Sequence, residues 1–120
     1  MIDMDIYIRE ALIGDEKLKK FIKPDNILQV YQPVNSAELP RIGIEEISDI
    51  PVYHADNVEK VVAVSYRLLI YSENQLSLLV NEVNRIMQEI GFMRKSKNKL
   101  YELPQNQRGI ELIYIKGELL

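Results

Sequence analysis

Hydrophobic residues recur near the start of the chain at the spacing of an α-helix. The apolar positions of the stretch DMDIYIREAL follow i, i+3, i+4 spacing and form one stripe: Met4, Tyr7, Ile8, Ala11 and Leu12. Gly14 interrupts this stripe, and Asp15 can cap a second short turn. Pro24 lacks the amide proton that a helix interior needs. We therefore predict one kinked helix or two short helices, ending near Lys23.

The strongest strand pattern is the run VEKVVAVSYRLLIY, residues 58–71. Alternate positions of this run are wholly apolar on one face and mixed on the other. The apolar face holds Val62, Val64, Tyr66, Leu68 and Ile70. This pattern predicts a central strand that is covered by helices on one side and is partly exposed, or covered by a neighbour, on the other.

Two shorter strands are predicted upstream, in NILQVYQ and PRIGIEEIS. In the second, Ile47 is out of phase with Ile42 and Ile44, so we predict a β-bulge near Glu45 and Glu46. An eight-residue polar loop, residues 33–40, joins these strands, and residues 49–57, DIPVYHADN, form a second irregular connection.

A second helix follows in SENQLSLLVNEVNRIMQEIG, residues 72–91. Ser72 and Gln75 form a predicted capping box at its start, and Gly91 supplies a left-handed stop. About 18 residues at about 1.5 Å each give a helix of about 27 Å. Two further strands are predicted in FMRKSKNKLYEL and RGIELIYIKGEL.

The order of these elements predicts one α+β domain over residues 1–120. Its sheet is mixed and mostly antiparallel, with four to five strands and two helices packed on one face. The composition, with 47% hydrophobic and 28% charged residues, is that of an ordinary globular domain.

The net charge and the absence of cysteine argue against several classes of function. The chain has no cysteine, which removes disulfides, thiolate nucleophiles and cysteine-ligated zinc. The net charge of −3 argues against an extended nucleic-acid surface and against sequence-specific binding of nucleic acid. The acidic start and the short apolar runs predict neither a signal peptide nor a membrane span.

Candidate catalytic chemistry is sparse. His54 is the single histidine and has Asp56 two residues away, whereas a stable zinc site needs three or four protein ligands. Adjacent Glu45 and Glu46 point to opposite sheet faces, and nothing in the sequence identifies a partner for Glu111. Phosphate-loop and serine nucleophile motifs are absent. We therefore expect no enzyme activity, no cofactor and no metal.

The candidate site is instead an interaction surface. The cluster RKSKNK, residues 94–99, carries four positive charges, among them Arg94, Lys95 and Lys97. Such a cluster is typical of a guarded strand edge or a partner contact, and it could also meet phosphates. Tyr31 and Tyr53 flank the two irregular connections, and tyrosine is enriched at protein interfaces.

The order of elements resembles a known family. A helical start IREAL…LKKFI leads to VYQPVNSAELPRIGIEEIS, with a Tyr-x-Pro before the loop and a proline entering the next strand. The long strand VVAVSYRLLIYSEN, one amphipathic helix and the closing strand GIELIYIKGEL follow. Over nearly the whole chain, this resembles the small tail terminator and head–tail completion proteins of tailed phages and prophages.

The resemblance implies a structural role without catalytic residues. In that family, subunits form a ring, typically of six, that caps the tail tube and joins it to the head. The implied partners are copies of the chain, tail tube protein and head-completion protein, in the host bacterial cytoplasm and then in the virion neck. The loop would act as an arm onto a neighbouring subunit, with Tyr31, Pro33, Asn35 and Glu38 as interface candidates.

Two other hypotheses remain open at this point. The chain could be a small adaptor or regulatory domain that binds a protein partner at a sheet edge. It could also be an enzyme with a dispersed site, which a deep polar pocket with converging carboxylates would indicate.

Overall fold

The computed structural model describes the backbone of residues 4–29, 38–55, 58–104 and 106–119, and the side chains of residues 4–28, 38–47, 64–104 and 106–117. Two helices and five strands form the fold: α1 (Met4–Ile13), β1 (Ile27–Gln29), β2 (Arg41–Ala55), β3 (Val58–Ser72), α2 (Leu76–Glu89), β4 (Met93–Lys99) and β5 (Arg108–Leu119).

The strands form one mixed sheet in the order β1-β2-β3-β5-β4. β1 runs parallel to β2, and every other neighbouring pair is antiparallel. The predicted α+β class is confirmed, and the run 58–71 is the central strand.

One hydrophobic core lies between the helices and one face of the sheet. The apolar face of β3 lies in this core, as its alternation predicted, with Tyr66 2% exposed and Leu68 fully buried. Tyr66 packs edge-on against Phe92, with 6.1 Å between ring centroids. The helices contribute Met4, Ile8, Leu12, Leu79, Val80, Val83, Ile86 and Met87. Both helices therefore cover the same face, and the second face has no helix among the described residues.

The N-terminal helix breaks at Gly14, as predicted, but within the described residues no second α-helix continues to Lys23. α1 ends at Ile13, and short 3-10 turns follow at Leu18–Lys20 and Pro24–Asn26. The carboxylate of Asp15 accepts hydrogen bonds from the backbone N–H groups of Lys17 and Leu18, at 3.0 and 2.9 Å. Asp15 therefore caps the turn, because it satisfies donors that the short turn leaves free.

The predicted capping box of α2 is wrong. Ser72 is the last residue of β3, and its hydroxyl donates to the carbonyl of Asn74. Gln75 occupies the N-cap position with φ of 60° and makes no side-chain capping bond. The helix has 14 residues and is about 21 Å long, shorter than predicted. Gly91 supplies the predicted left-handed stop, with φ of 93°.

The predicted irregular connection at residues 49–57 is also wrong, because β2 continues as a strand to Ala55. β2 and β3 pair from Arg41–Tyr71 to Ala55–Val58, with a register shift between Glu46 and Ser48. That shift is the predicted bulge. At about 3.3 Å per residue, each 15-residue strand is about 50 Å long, so the pair extends well beyond the helix layer.

Candidate interaction surface

The uncovered sheet face is built around Arg67. Its Nη1 lies 3.2 Å from Glu45 Oε2 on β2, and its Nε lies 2.8 Å from Glu111 Oε2 on β5. Asn98 on the edge strand β4 donates to Glu111 Oε1 at 3.2 Å. One row of polar side chains therefore crosses four strands. We call these four residues the Arg67 row.

Apolar side chains flank the Arg67 row on the same face. In the register of the sheet, Leu69 lies beside Glu111, and Ile115 lies between Ser65 and Met93. Met93 is 68% exposed. At the other end of the face, the guanidinium of Arg41 lies 4.4 Å from the ring centre of Tyr71. This mixture of half-buried apolar groups and paired charges is typical of protein contact surfaces.

Strand β4 forms one edge of the sheet and carries a line of cations. Its register with β5 places Arg94 opposite Tyr114, Lys97 opposite Leu112 and Lys99 opposite Ile110. The three partner residues on β5 are buried under the helices. The cations therefore occupy the helix side of the edge, where all three are exposed.

The opposite edge of the sheet belongs mostly to β2. β1 pairs with β2 only at Ile42, Gly43 and Ile44, so within the described chain the outer edge of β2 is free from residue 45 to residue 55. Glu45 and Glu46 begin this free edge and point to opposite faces, as predicted. Glu45 contacts Arg67 on the open face, whereas Glu46 accepts a hydrogen bond from the Tyr66 hydroxyl at 3.4 Å.

The structure separates the predicted interface residues into two groups. Arg94, Lys95 and Lys97 lie together on the β4 edge. Glu38 lies beyond the opposite edge, just before β2, with its carboxylate 2.9 Å from Lys23 Nζ. Tyr53 lies in β2, in the part whose side chains are outside the description. Tyr31, Pro33 and Asn35 lie outside the described residues.

The candidate catalytic residue His54 belongs to a strand. His54 lies in β2 rather than in the predicted loop, where it pairs with Glu59 in the ladder. Among the described residues, no three acidic or histidine side chains are grouped closely enough to hold a metal ion. None of the described helices is long and apolar enough to cross a membrane.

Tyr114 on β5 has a shifted pKa. Burial under α2 raises the pKa of its hydroxyl to about 12, although the charge of Arg94 acts in the opposite direction. The hydroxyl donates to Asn84 Oδ1 at 3.0 Å. A phenol with a raised pKa and a satisfied hydrogen bond is a stable core group and a poor general base at neutral pH.

Comparison with known proteins does not assign the chain to a family. Neither the family models nor the curated proteins that were searched contain a match to it.

Two ion-pair clusters join residues that are distant in the sequence. The alternation of β3 placed Arg67 on the second face, but the partners come from strands that are distant in sequence. The other cluster centres on Arg85 of α2, whose guanidinium contacts Asp15, Glu82 and Glu89 at 2.7–3.0 Å. The i, i+3 and i, i+4 spacings to Glu82 and Glu89 were readable from the sequence, whereas the contact with Asp15 depends on the fold.

Proposed function

We propose that the protein is a structural subunit that assembles with copies of itself and with tail proteins. This is the role of the tail terminator and head–tail completion proteins that its sequence resembles. The subunit would form a ring at the end of a phage tail tube, first in the bacterial cytoplasm and then in the virion neck. It would act by binding and by stopping tube growth, without catalysis.

The observation that carries this proposal is the one-sided cover of the sheet. Both helices pack on one face, which leaves the Arg67 row and its apolar neighbours partly accessible on the other. β2 also offers a long backbone edge, because within the described chain its residues 45–55 have no strand partner on the outer side. Unpaired strand edges and a half-apolar face are surfaces that other chains can bind.

The test is self-association followed by tube binding. We expect the purified protein to show a concentration-dependent rise in mass in sedimentation velocity, with closed rings in negative-stain electron microscopy. The rings should co-sediment with assembled tail tubes and halt their growth. A protein that remains monomeric at all concentrations and ignores tail tubes would contradict the proposal.

The alternative is a small adaptor that binds a partner at a sheet edge. The exposed edge strand β4 favours it, because such an edge can accept an extended peptide as an additional strand. Sedimentation separates the two proposals, since an adaptor should remain monomeric and gain mass only with its partner.

A further inference from the structure

We propose that β4 of one subunit pairs, antiparallel, with the outer edge of β2 in a second copy, so that two sheets join into one. The inference rests on the proposed self-assembly and names its contact surface. It follows from three properties of the two edges: their strand direction, their free length and their charge.

The strand directions are compatible with this pairing. β2 is antiparallel to β3, β3 to β5 and β5 to β4, so β4 and β2 run in opposite directions within one subunit. A second copy in the same orientation therefore brings its β2 antiparallel to the first copy's β4. In this arrangement the helices of both copies remain on the same side of the joined sheet.

The free lengths match as well. β4 offers seven residues, and the free edge of β2 spans residues 45–55 in the described chain. Seven paired residues correspond to about 23 Å of ladder. This length is that of an ordinary strand pair, and it leaves room for the bulge at Ile47.

The positive charges on β4 disfavour contact between two β4 edges. No ion pair involves Arg94, Lys95, Lys97 or Lys99 within the described residues, so the β4 edge carries four uncompensated positive charges. Two β4 edges would therefore repel each other, which disfavours a two-fold dimer through β4.

The β2 edge offers the opposite charge on the matching face. Glu46 is exposed on the helix side, the side that carries Arg94, Lys97 and Lys99 on β4. Further along the same strand, the backbone of Asp49 pairs with Val64. A β4–β2 contact is heterologous, because it joins different patches of the two copies, and such contacts close into rings when the rotation between subunits permits.

Reciprocal charge exchange tests this contact. One variant carries Lys97→Glu and Lys99→Glu on β4, and a second carries Glu46→Lys and Asp49→Lys on β2. We expect each variant alone to associate at least about tenfold more weakly than the wild type, because like charges then face each other. An equal mixture of the two should regain association, because each variant offers the edge that the other needs.

A matched control carries Lys17→Glu and Lys20→Glu, which make the same charge change at exposed positions away from both edges. Its association should equal that of the wild type. Thermal melting of all variants shows whether each one folds. As a second measurement on the wild type, raising NaCl from about 0.1 to about 1 M shortens the screening length from about 10 to about 3 Å and should weaken association.

The outcomes separate this inference from the proposed function. Wild-type association that is insensitive to salt and to both exchanges would overturn the edge contact and leave self-assembly standing. Weakened variants whose mixture does not recover would also overturn the edge contact. A wild type that is monomeric throughout would overturn both.

Discussion

The guanidinium of Arg85 on α2 holds the carboxylate of Asp15 at 2.8 and 2.9 Å, across 70 residues of sequence. The same carboxylate caps the 3-10 turn at Leu18. Asp15 therefore fastens the N-terminal segment to the helix that covers the centre of the sheet.

Asp15→Asn should lower the free energy of unfolding at neutral pH. It should also make that free energy depend less on pH in acid. Burial alone would raise the pKa of Asp15, but the hydrogen bonds from Leu18 and Arg85 outweigh it and lower the pKa. The contribution of the charge is therefore complete above the unfolded pKa, about 3.9, and is lost as pH falls through the lower folded value. We expect a cost of about 1 kcal/mol at neutral pH, measured by urea unfolding.

The control for this variant is Glu10→Gln, which removes one negative charge at an exposed position of α1. Its stability should stay within about 0.5 kcal/mol of the wild type. Equal losses for the two variants would mean that net charge, rather than the Asp15 contact, sets the acid behaviour.

The wild type should lose stability in alkali because Tyr114 ionises, and Tyr114→Phe should not show this loss. Because burial raises the pKa of Tyr114 to about 12, the stabilising effect of the neutral hydroxyl is complete below the unfolded pKa, about 10. It is lost as pH rises from about 10 towards 12. At neutral pH the variant loses the hydrogen bond to Asn84, at a cost of about 1 kcal/mol.

Unfolding curves across this pH range provide the measurement. Tyr101→Phe is the matched control, since it removes the same hydroxyl group from a side chain that is 77% exposed. The assignment fails if Tyr114→Phe and the wild type lose stability in parallel above pH 10.

Gly91→Ala should destabilise the end of α2. Gly91 has φ of 93°, and a Cβ there would lie 3.2 Å from Cε of Lys116. The same lysine donates to the carbonyl of Ile90 at 3.1 Å and lies 5.7 Å from the ring centre of Phe92. We expect a loss of about 1–3 kcal/mol from backbone strain in denaturant unfolding. An unchanged unfolding midpoint would show that the turn relaxes without cost.

Deletion of residues 35–38 tests the predicted arm. We expect light scattering to show loss of ring formation, while circular dichroism shows an intact fold. Of the deleted residues, only Glu38 lies in the described part, and its ion pair with Lys23 is solvent-exposed, so it adds little to stability. Glu38→Gln is the control that removes the charge of Glu38 without shortening the chain. Rings formed by the deleted protein would contradict the arm hypothesis.

The sequence predicted the core side of the fold because buried apolar residues recur at regular intervals along a strand or helix. The alternation of β3 identified the face that contains Tyr66 and Leu68. The C-terminal part of β2 has no such regular spacing of apolar residues. Residues 49–55 contain a proline and mixed polarity, and pairing with β3, despite register shifts after Pro51 and Tyr53, holds them in a strand.

The candidate surface was predictable only where one element carries it. The cations of β4 are neighbours in sequence, so the cluster was evident. The contact between Arg67 and Glu111 depends on how β3 pairs with β5, and local patterns do not encode that register. The failed capping box has the same cause, because the ladder with β5 keeps Ser72 in β3.

The length of β2 and β3 also has a mechanical consequence. Strands of about 50 Å fit only along the longest dimension of the molecule, 54 Å. Their ladder bonds lie perpendicular to the strands. Tension applied along that axis would load these bonds together, in shear. Pulling the open ends of the two strands, Arg41 and Ser72, apart across the sheet would instead break the bonds in succession. The subunit should therefore resist stretching far better than peeling.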